Sequence, residues 1–322
     1  MNIEVLVATY NGERYITQQL KSICSQLRKP DGILITDGGS IDLTLDLCYK
    51  YLKSSGLSFR ILETREQLNV VENFSRGIKN INGDIIFFSD QDDIWGVDKI
   101  SVIEQEFANR KCDIAFSNAY VVNSDISQIY KKTLWDCVGF ESNLRGCCFS
   151  SKNKILLHRI LKGNFVTGMC MAVTREFALK CLPIPKGVLH DEWLAICCTL
   201  AGNICSVDRC LVKYRQHDRN VIGVNKNIKQ RISESKYRYN RLVGRKDWIE
   251  ELIRRERGEG GVADQYLYEY LLYLNNRING IRDFNIFKLL TVLKKYYLYE
   301  LCPISVLNKD LLSMLIHRIK DN

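Results

Sequence analysis

Between Ser89 and Trp95 the chain reads Ser-Asp-Gln-Asp-Asp-Ile-Trp, which places Asp90, Asp92 and Asp93 within four residues. Carboxylates this close repel one another, and such a cluster persists where a cation or strong hydrogen bonds offset the charge. Oxygen ligands with no Cys and no nearby His select Mg2+ or Mn2+. Those ions keep positions open for phosphate oxygens. An acidic turn that caps the next helix is the alternative the residues alone leave open. Two further polar sets stand out: Thr9-Tyr10-Asn11 and Asp37-Gly38-Gly39-Ser40.

The elements around these residues predict how they are placed. Ile3 to Thr9 is a short, mostly apolar run of the kind buried on both faces. Ile16, Leu20, Ile23, Cys24 and Leu27 follow at helical spacing. The alternation continues: strand-like Ile33–Thr36, Phe59–Leu62 and Asp84–Ser89, with helix-like spacing at Leu43–Leu52, Val71–Ile78 and Ile100–Phe107. Further on, Met169–Thr174 and Leu211–Tyr214 read as strands and Asp191–Leu200 as a helix. This order predicts an α/β fold with a mostly parallel sheet covered on both faces. Ligands of such sheets sit beyond the carboxyl ends of the strands, where the three polar sets fall. The chain has no G-x-G-x-x-G after its first strand and no G-x-x-x-x-G-K-[ST]. A dinucleotide oxidoreductase or P-loop enzyme would lack its phosphate cradle. A nucleotide bound here needs a metal for its diphosphate, which points to a nucleotide-sugar enzyme.

The motifs carry a resemblance. Val7-Ala8-Thr9-Tyr10-Asn11-Gly12, Thr36-Asp37-Gly38-Gly39-Ser40-Ile41-Asp42 and Asp90 to Trp95 resemble family 2 glycosyltransferases. Phe165-Val166-Thr167-Gly168-Met169, His190-Asp191-Glu192-Trp193-Leu194 and Tyr214-Arg215-Gln216-His217, with Asn220 and Gly223, resemble their rhamnosyltransferase-like branch in bacterial O-antigen and surface polysaccharide synthesis. The likeness spans roughly residues 1–225.

It implies a GT-A fold with a Rossmann-like nucleotide-binding sheet and an inverting, single-displacement reaction. It implies Asp92 as direct metal ligand, with Asp90 at the ribose or a bridging water and His217 as a further metal or phosphate contact. Thr9, Tyr10, Asn11 and Asp37 would line the donor nucleotide, Arg215 would clamp its diphosphate, and Trp95 would wall the pocket. Asp191 matches the family's catalytic base, with His190 to orient it and Glu192 as second choice, although Asp at a helix start is also an ordinary N-cap. Gly168, Met169, Glu192 and Trp193 would face the acceptor. Gly38 stands where the family commonly has a second Asp, which leaves the choice between UDP and dTDP open.

The implied donor is a nucleoside-diphosphate sugar, dTDP-rhamnose first, then UDP-galactose, UDP-glucose or an N-acetylhexosamine. The implied acceptor is a saccharide on polyprenyl diphosphate at the inner face of the bacterial plasma membrane. A catalytically inactive sugar-binding scaffold is the rival reading that Gly38 favours.

Composition bounds the rest. The chain of 322 residues is 46% hydrophobic and 26% charged, which excludes disordered and collagen-like classes. Its net charge of +9 suggests an anionic partner. Eleven Lys and Arg against five Asp and Glu fall within residues 226–257, so the charge sits mostly outside the motif-bearing part. That predicts a boundary near residue 225 and a basic, amphipathic, helical region over 226–322 that docks on an anionic membrane surface. No nucleic-acid module is recognisable, so a nucleic-acid partner is not expected; self-association is left open. The 13 cysteines include no C-x-x-C, and the chain opens directly into a strand, so thiols reduced in a cytoplasm are expected.

Overall fold

A computed structural model of the chain describes residues 1–217, 238–258, 265–290, 309–311 and 313–314. The described residues fall into two units, one of Met1–Ile184 with Leu189–Val224, the other of Pro185–Val188 with the residues from Asn225 onward.

The first unit is built on a ten-stranded sheet. Its elements in chain order are β1 (Ile3–Thr9), α1 (Ile16–Cys24), β2 (Gly32–Asp37), α2 (Thr44–Ser55), β3 (Phe59–Leu62), α3 (Val70–Asn80), β4 (Ile85–Ser89), β5 (Ile94–Trp95) and α4 (Lys99–Arg110). There follow β6 (Ile114–Val122), β7 (Ile129–Thr133), α5 (Leu134–Val138), β8 (Cys148–Phe149), α6 (Lys154–Lys162), β9 (Met171–Thr174), α7 (Arg175–Lys180), α8 (His190–Ala201) and β10 (Ile204–Arg215).

The sheet runs β3-β2-β1-β4-β9-β6-β10-β5, with β7 on β6 and β8 on β10. β1 to β4 are mutually parallel, and β6 and β10 share their direction across the antiparallel β9. This is the mostly parallel sheet that the sequence predicts, with helices around it.

Apolar runs make the central strands: β2 and β4 are buried at every position, as strands covered on both faces must be. Helices α3, α5 and α6 start on side-chain caps, from Asn69, Thr133 and Asn153. Asn69 caps α3 in a box with Glu72, in which Asn69 Oδ1 accepts the Glu72 N–H at 3.0 Å and Glu72 Oε2 accepts the Asn69 N–H at 3.1 Å. Gly77 lets α3 lie close on β1, since a Cβ there would meet Leu6 Cδ1 at 2.3 Å. α8 is apolar nearly all round and buried along its length, the pattern of a core helix.

Two expectations need correction. The late strand begins at Ile204 rather than Leu211, and its register shifts around Cys210, where the polar Asp208 and Arg209 interrupt the apolar run. Thiols are not free throughout: β8 pairs antiparallel with β10, Cys148 lies opposite Cys205 with Cα atoms 4.1 Å apart, and the two form a disulfide.

The second unit contains α9 (Arg238–Gly258) and α10 (Gln265–Arg282). Trp248, Ile249, Leu252, Leu267, Leu274 and Ile281 are buried in it. Asp310, 1% exposed, accepts from Arg238 Nε at 2.6 Å and from Arg277 Nε at 2.7 Å. A buried carboxylate is tolerated where charged donors satisfy it in this way. Among the described residues no helix is long and apolar enough to cross a membrane.

Candidate active site

The register collects the polar loops at one end of the sheet. β9 runs antiparallel to β4, with Phe87 opposite Ala172, so the turn Gly168–Cys170 before β9 lies beside the residues that follow β4. β5 runs antiparallel to β10, with Trp95 opposite Val212, so Asp92 and Asp93 come up against Arg215. α8 then brings Asp191, 6% exposed, to the same turn.

Asp191 Oδ2 accepts the Gly168 N–H at 2.9 Å, and its Oδ1 accepts the Glu192 N–H at 2.6 Å. Burial pushes its carboxyl up to about 7, against the pull of those two amides. Asp90 is also raised to about 7, by burial and by the negative charges of Asp92 and Asp191. The carboxylates of the acidic loop and of α8 therefore share one electrostatic neighbourhood. Asp93, 1% exposed, accepts the Arg215 N–H at 3.1 Å, while its Oδ2 has no partner among the described residues. Burial and its two acidic neighbours hold it well above the usual carboxylate range.

Asp92 Oδ2 and His217 Nε2 lie 2.8 Å apart, and both side chains are mostly buried. A carboxylate and an imidazole converging beside a crowd of acidic groups is a donor set that suits Mn2+ or Mg2+ with phosphate oxygens completing the shell. The described residues that gather three ligand atoms closely are Glu106, Cys148 and Cys205, and the disulfide takes both sulfurs.

One cation was missed in the sequence. Lys99 is fully buried at the start of α4, donates from Nζ to the Met169 carbonyl at 2.6 Å and stands 3.5 Å over the Trp95 ring. Burial lowers its ammonium to about 7, and Cys170, Asp93 and Asp90 pull it back up. A lone buried Lys in an otherwise amphipathic helix pattern gives no sequence signal of its own.

At β1 and β2 the loops are stitched by side chains. Asp37, fully buried, accepts from Thr9 Oγ1 at 2.7 Å and Ser40 Oγ at 2.6 Å on Oδ1, and from the Gly39 and Ser40 N–H groups at 2.9 and 2.7 Å on Oδ2. Four bonds fill the acceptor sites of a carboxylate. Asp37 therefore shapes the turn, and Thr9 is spent on it.

Asn11, at φ 47°, accepts the Ile41 N–H on Oδ1 at 2.9 Å. Tyr10 is 39% exposed, and its backbone N–H and carbonyl pair with the Gln91 side-chain amide at 2.9 and 3.0 Å. Gly12 leaves room for that amide, since a Cβ there would meet Gln91 Oε1 at 2.1 Å. Arg76 donates to the Thr36 hydroxyl and to the Asp37 and Leu62 carbonyls, which closes the ends of β2 and β3. Gly38 is bracketed by backbone: its N–H donates to the Thr9 carbonyl at 2.8 Å, and a Cβ would lie 3.3 Å from the Leu68 carbonyl.

Several expected roles are not where the structure puts these side chains. Arg215 is 2% exposed and donates to Asp92 O at 2.7 Å, Ser124 O at 2.5 Å and Gln18 Oε1 at 2.7 Å, so its fork holds protein groups rather than standing open for a diphosphate. Trp193 is fully buried with its indole N–H on the Cys181 carbonyl at 2.8 Å, a core residue rather than an acceptor contact. Trp95 and Met169, at 3% and 1% exposed, are core as well. His190 does not bond Asp191. Its ring stacks on Phe74 at 3.8 Å, both its nitrogens lack partners among the described residues, and burial lowers it to about 3. Asn220 and Gly223 lie outside the described residues.

Parallel strands, an acidic loop after β4 and a buried carboxylate on α8 meet at the carboxyl ends of this α/β sheet, where such folds bind ligands. The chain belongs to the Glycosyl transferase family 2, matched over residues 4–182. It is 30% identical over 265 residues to the dTDP-rhamnosyl transferase RfbG of Shigella flexneri, covering 77% of this chain and 82% of that one. In fold it is similar to residues 1–349 of TarS from S. aureus, solved with UDP-GlcNAc (TM-score 0.54, 16% identity, 99% of this chain and 92% of that one). It is also similar in fold to the mannosyltransferase PcManGT of Pyrobaculum calidifontis, solved with GDP-Man and Mn2+ (TM-score 0.56, 14% identity, 99% and 86%). The protein is a glycosyltransferase.

Proposed function

We propose that this glycosyltransferase is inverting and metal-dependent, and that it moves rhamnose from dTDP-rhamnose to a saccharide carried on polyprenyl diphosphate in bacterial polysaccharide synthesis. Galactose, glucose and N-acetylhexosamine on UDP are the next donors. The observation that carries the chemistry is that Asp191, held by the Gly168 N–H, shares an electrostatic neighbourhood with Asp90 and Asp92. The rhamnosyl donor rests on the relative from Shigella flexneri.

In the reaction, Asp191 takes the proton of the acceptor hydroxyl as that oxygen bonds to C1 of the sugar. The C1–O bond to the nucleoside diphosphate breaks, and the diphosphate leaves with the bond's electrons. A single displacement of this kind inverts C1. The near-neutral carboxyl of Asp191 suits a base that works close to pH 7. The two backbone N–H groups on its oxygens fix its direction. Asp92 and His217, with Asp90 beside them, would hold a Mn2+ or Mg2+ ion, which would supply positive charge to the leaving diphosphate.

Tyr10 and Asn11 face the nucleotide, with Thr9 and Asp37 setting the loop beneath. Arg215 acts by holding the Asp92 carbonyl. Gly168 presents its turn to the acceptor, and Glu192 stands next to the base. The transferase domain is residues 1–225. The basic region 226–322 meets an anionic membrane on its cytoplasmic side.

Nucleoside diphosphate release from a donor panel, with Mn2+ and with EDTA, tests the enzyme reading. Sedimentation of the full chain with phosphatidylglycerol vesicles tests the docking. Binding lost on raising the salt supports it, and equal binding to neutral vesicles counts against it.

A further inference from the structure

Asp92 and His217 approach each other from different elements, and Tyr15, the residue just before α1, with Gln18 in its first turn, touches what holds each of them. The Tyr15 ring stacks on the His217 imidazole, with centroids 4.8 Å apart and planes 27° apart. The Arg215 guanidinium carbon lies 4.6 Å from the centroid of the same Tyr15 ring. Gln18, one helical turn on, accepts from Arg215 Nη2 at 2.7 Å, and Arg215 Nε donates to the Asp92 carbonyl at 2.7 Å. Tyr15 is 9% exposed, and its hydroxyl has no partner among the described residues, so the ring is what it contributes. Its own backbone is fixed by the Gly12 carbonyl at 3.0 Å, directly after the β1 loop.

We propose that Tyr15 is a positioning residue for the metal pair: its ring, stacked on His217 and faced by Arg215, holds the imidazole at Asp92 Oδ2. The inference rests on reading Asp92 and His217 as the metal ligands. An imidazole whose ring is held in one rotamer before an ion arrives lowers the ordering cost of binding that ion. The planar faces of Tyr and His suit this, since offset aromatic pairs have a preferred geometry that an aliphatic side chain lacks.

Mn2+ alone, titrated into the full chain and followed by the EPR signal of the free ion, tests this without any donor or acceptor. Groups that orient a metal ligand typically contribute about tenfold or more in affinity. Tyr15→Leu is therefore expected to weaken Mn2+ by about that factor, and Tyr15→Phe, which keeps the ring, to bind like the unsubstituted chain. Asp92→Asn separates the two ideas. If the unsubstituted chain and Asp92→Asn bind alike, the metal reading fails and takes the inference with it. If Asp92→Asn loses the ion while Tyr15→Leu keeps full affinity, only the role of Tyr15 is overturned.

A second measurement needs no Leu variant to fold. The His217 ring-carbon proton, assigned through His217→Gln, is expected upfield in the unsubstituted chain from the Tyr15 ring current, and to broaden first as Mn2+ is added. A resonance at the unstructured position overturns the stack.

Discussion

The backbone N–H of Gly168 points at Oδ2 of Asp191 from 2.9 Å, so the turn before β9 aims the carboxylate that opens α8. A second amide, that of Glu192, holds the other oxygen at 2.6 Å. A base held at both oxygens keeps its lone pairs in a fixed direction, which general-base chemistry requires. Asn keeps only one of these two acceptor oxygens, sets its NH2 against the other backbone N–H, and cannot take a proton. Asp191→Asn is therefore expected to lose about 1–3 kcal/mol of stability for the N–H left unpaired, while kcat of the folded enzyme falls by about 10²–10⁴. Steady-state transfer kinetics alongside a thermal melt check this.

The carboxyl of Asp191 sits at about 7 in the fold because of its burial. As a base it must be ionised, so kcat is expected to rise with pH about tenfold per unit below 7 and to level off above. Stability moves the other way. Between about 4, where an exposed Asp loses its proton, and 7 the folded chain holds a proton that the unfolded chain has released, so stability falls as pH rises across that window. Asp90 behaves alike, so the comparison of urea midpoints is between the unsubstituted chain and Asp191→Asn, which lacks the share due to Asp191.

Gly168 is glycine for a reason of space. A Cβ at this position would lie 2.7 Å from His190 Nε2, and His190 is packed against Phe74 and Phe88. Gly168→Ala is expected to cost about 1–3 kcal/mol through overpacking and to turn its N–H away from Asp191. Chemical denaturation reads the first effect. A loss of kcat larger than the loss of folded protein reads the second.

Much of this was legible in the order of residues. The alternation from Ile3 to Phe107 gave the parallel half of the sheet, because strands buried on both faces and amphipathic helices leave distinct periods. The second half was harder. β7, β8 and α5 lie in a stretch where short elements mix polar and apolar residues, as in Ile129–Thr133, so no period stands out. Motif residues were easy to find and their orientation was not. Arg215 and Trp193 stand in motifs, yet both point into the protein, and nothing in a linear pattern states which side chain faces the cleft. Lys99, Arg76 and Tyr15 escaped notice for the converse reason: their partners are backbone carbonyls and rings distant in sequence.

Lys99 is the buried cation between the acidic loop and the Gly168 turn. Lys99→Met removes the donor to the Met169 carbonyl and leaves Asp90 and Asp93 without that positive charge. The expected loss is about 1–3 kcal/mol for the unsatisfied carbonyl alone, measured by urea unfolding at pH 7. A Met variant as stable as the unsubstituted chain would show that Lys99 does not stabilise the loop.

The most direct test of the whole reading is release of nucleoside diphosphate by the full chain, offered dTDP-rhamnose and the UDP-sugars with polyprenyl-diphosphate-linked saccharide acceptors. The expected result is turnover of one donor with Mn2+, lost with EDTA, lost in Asp92→Ala and reduced at least about 10²-fold in Asp191→Asn. Turnover that EDTA leaves unchanged, or that Asp92→Ala and Asp191→Asn both retain in full, would contradict it.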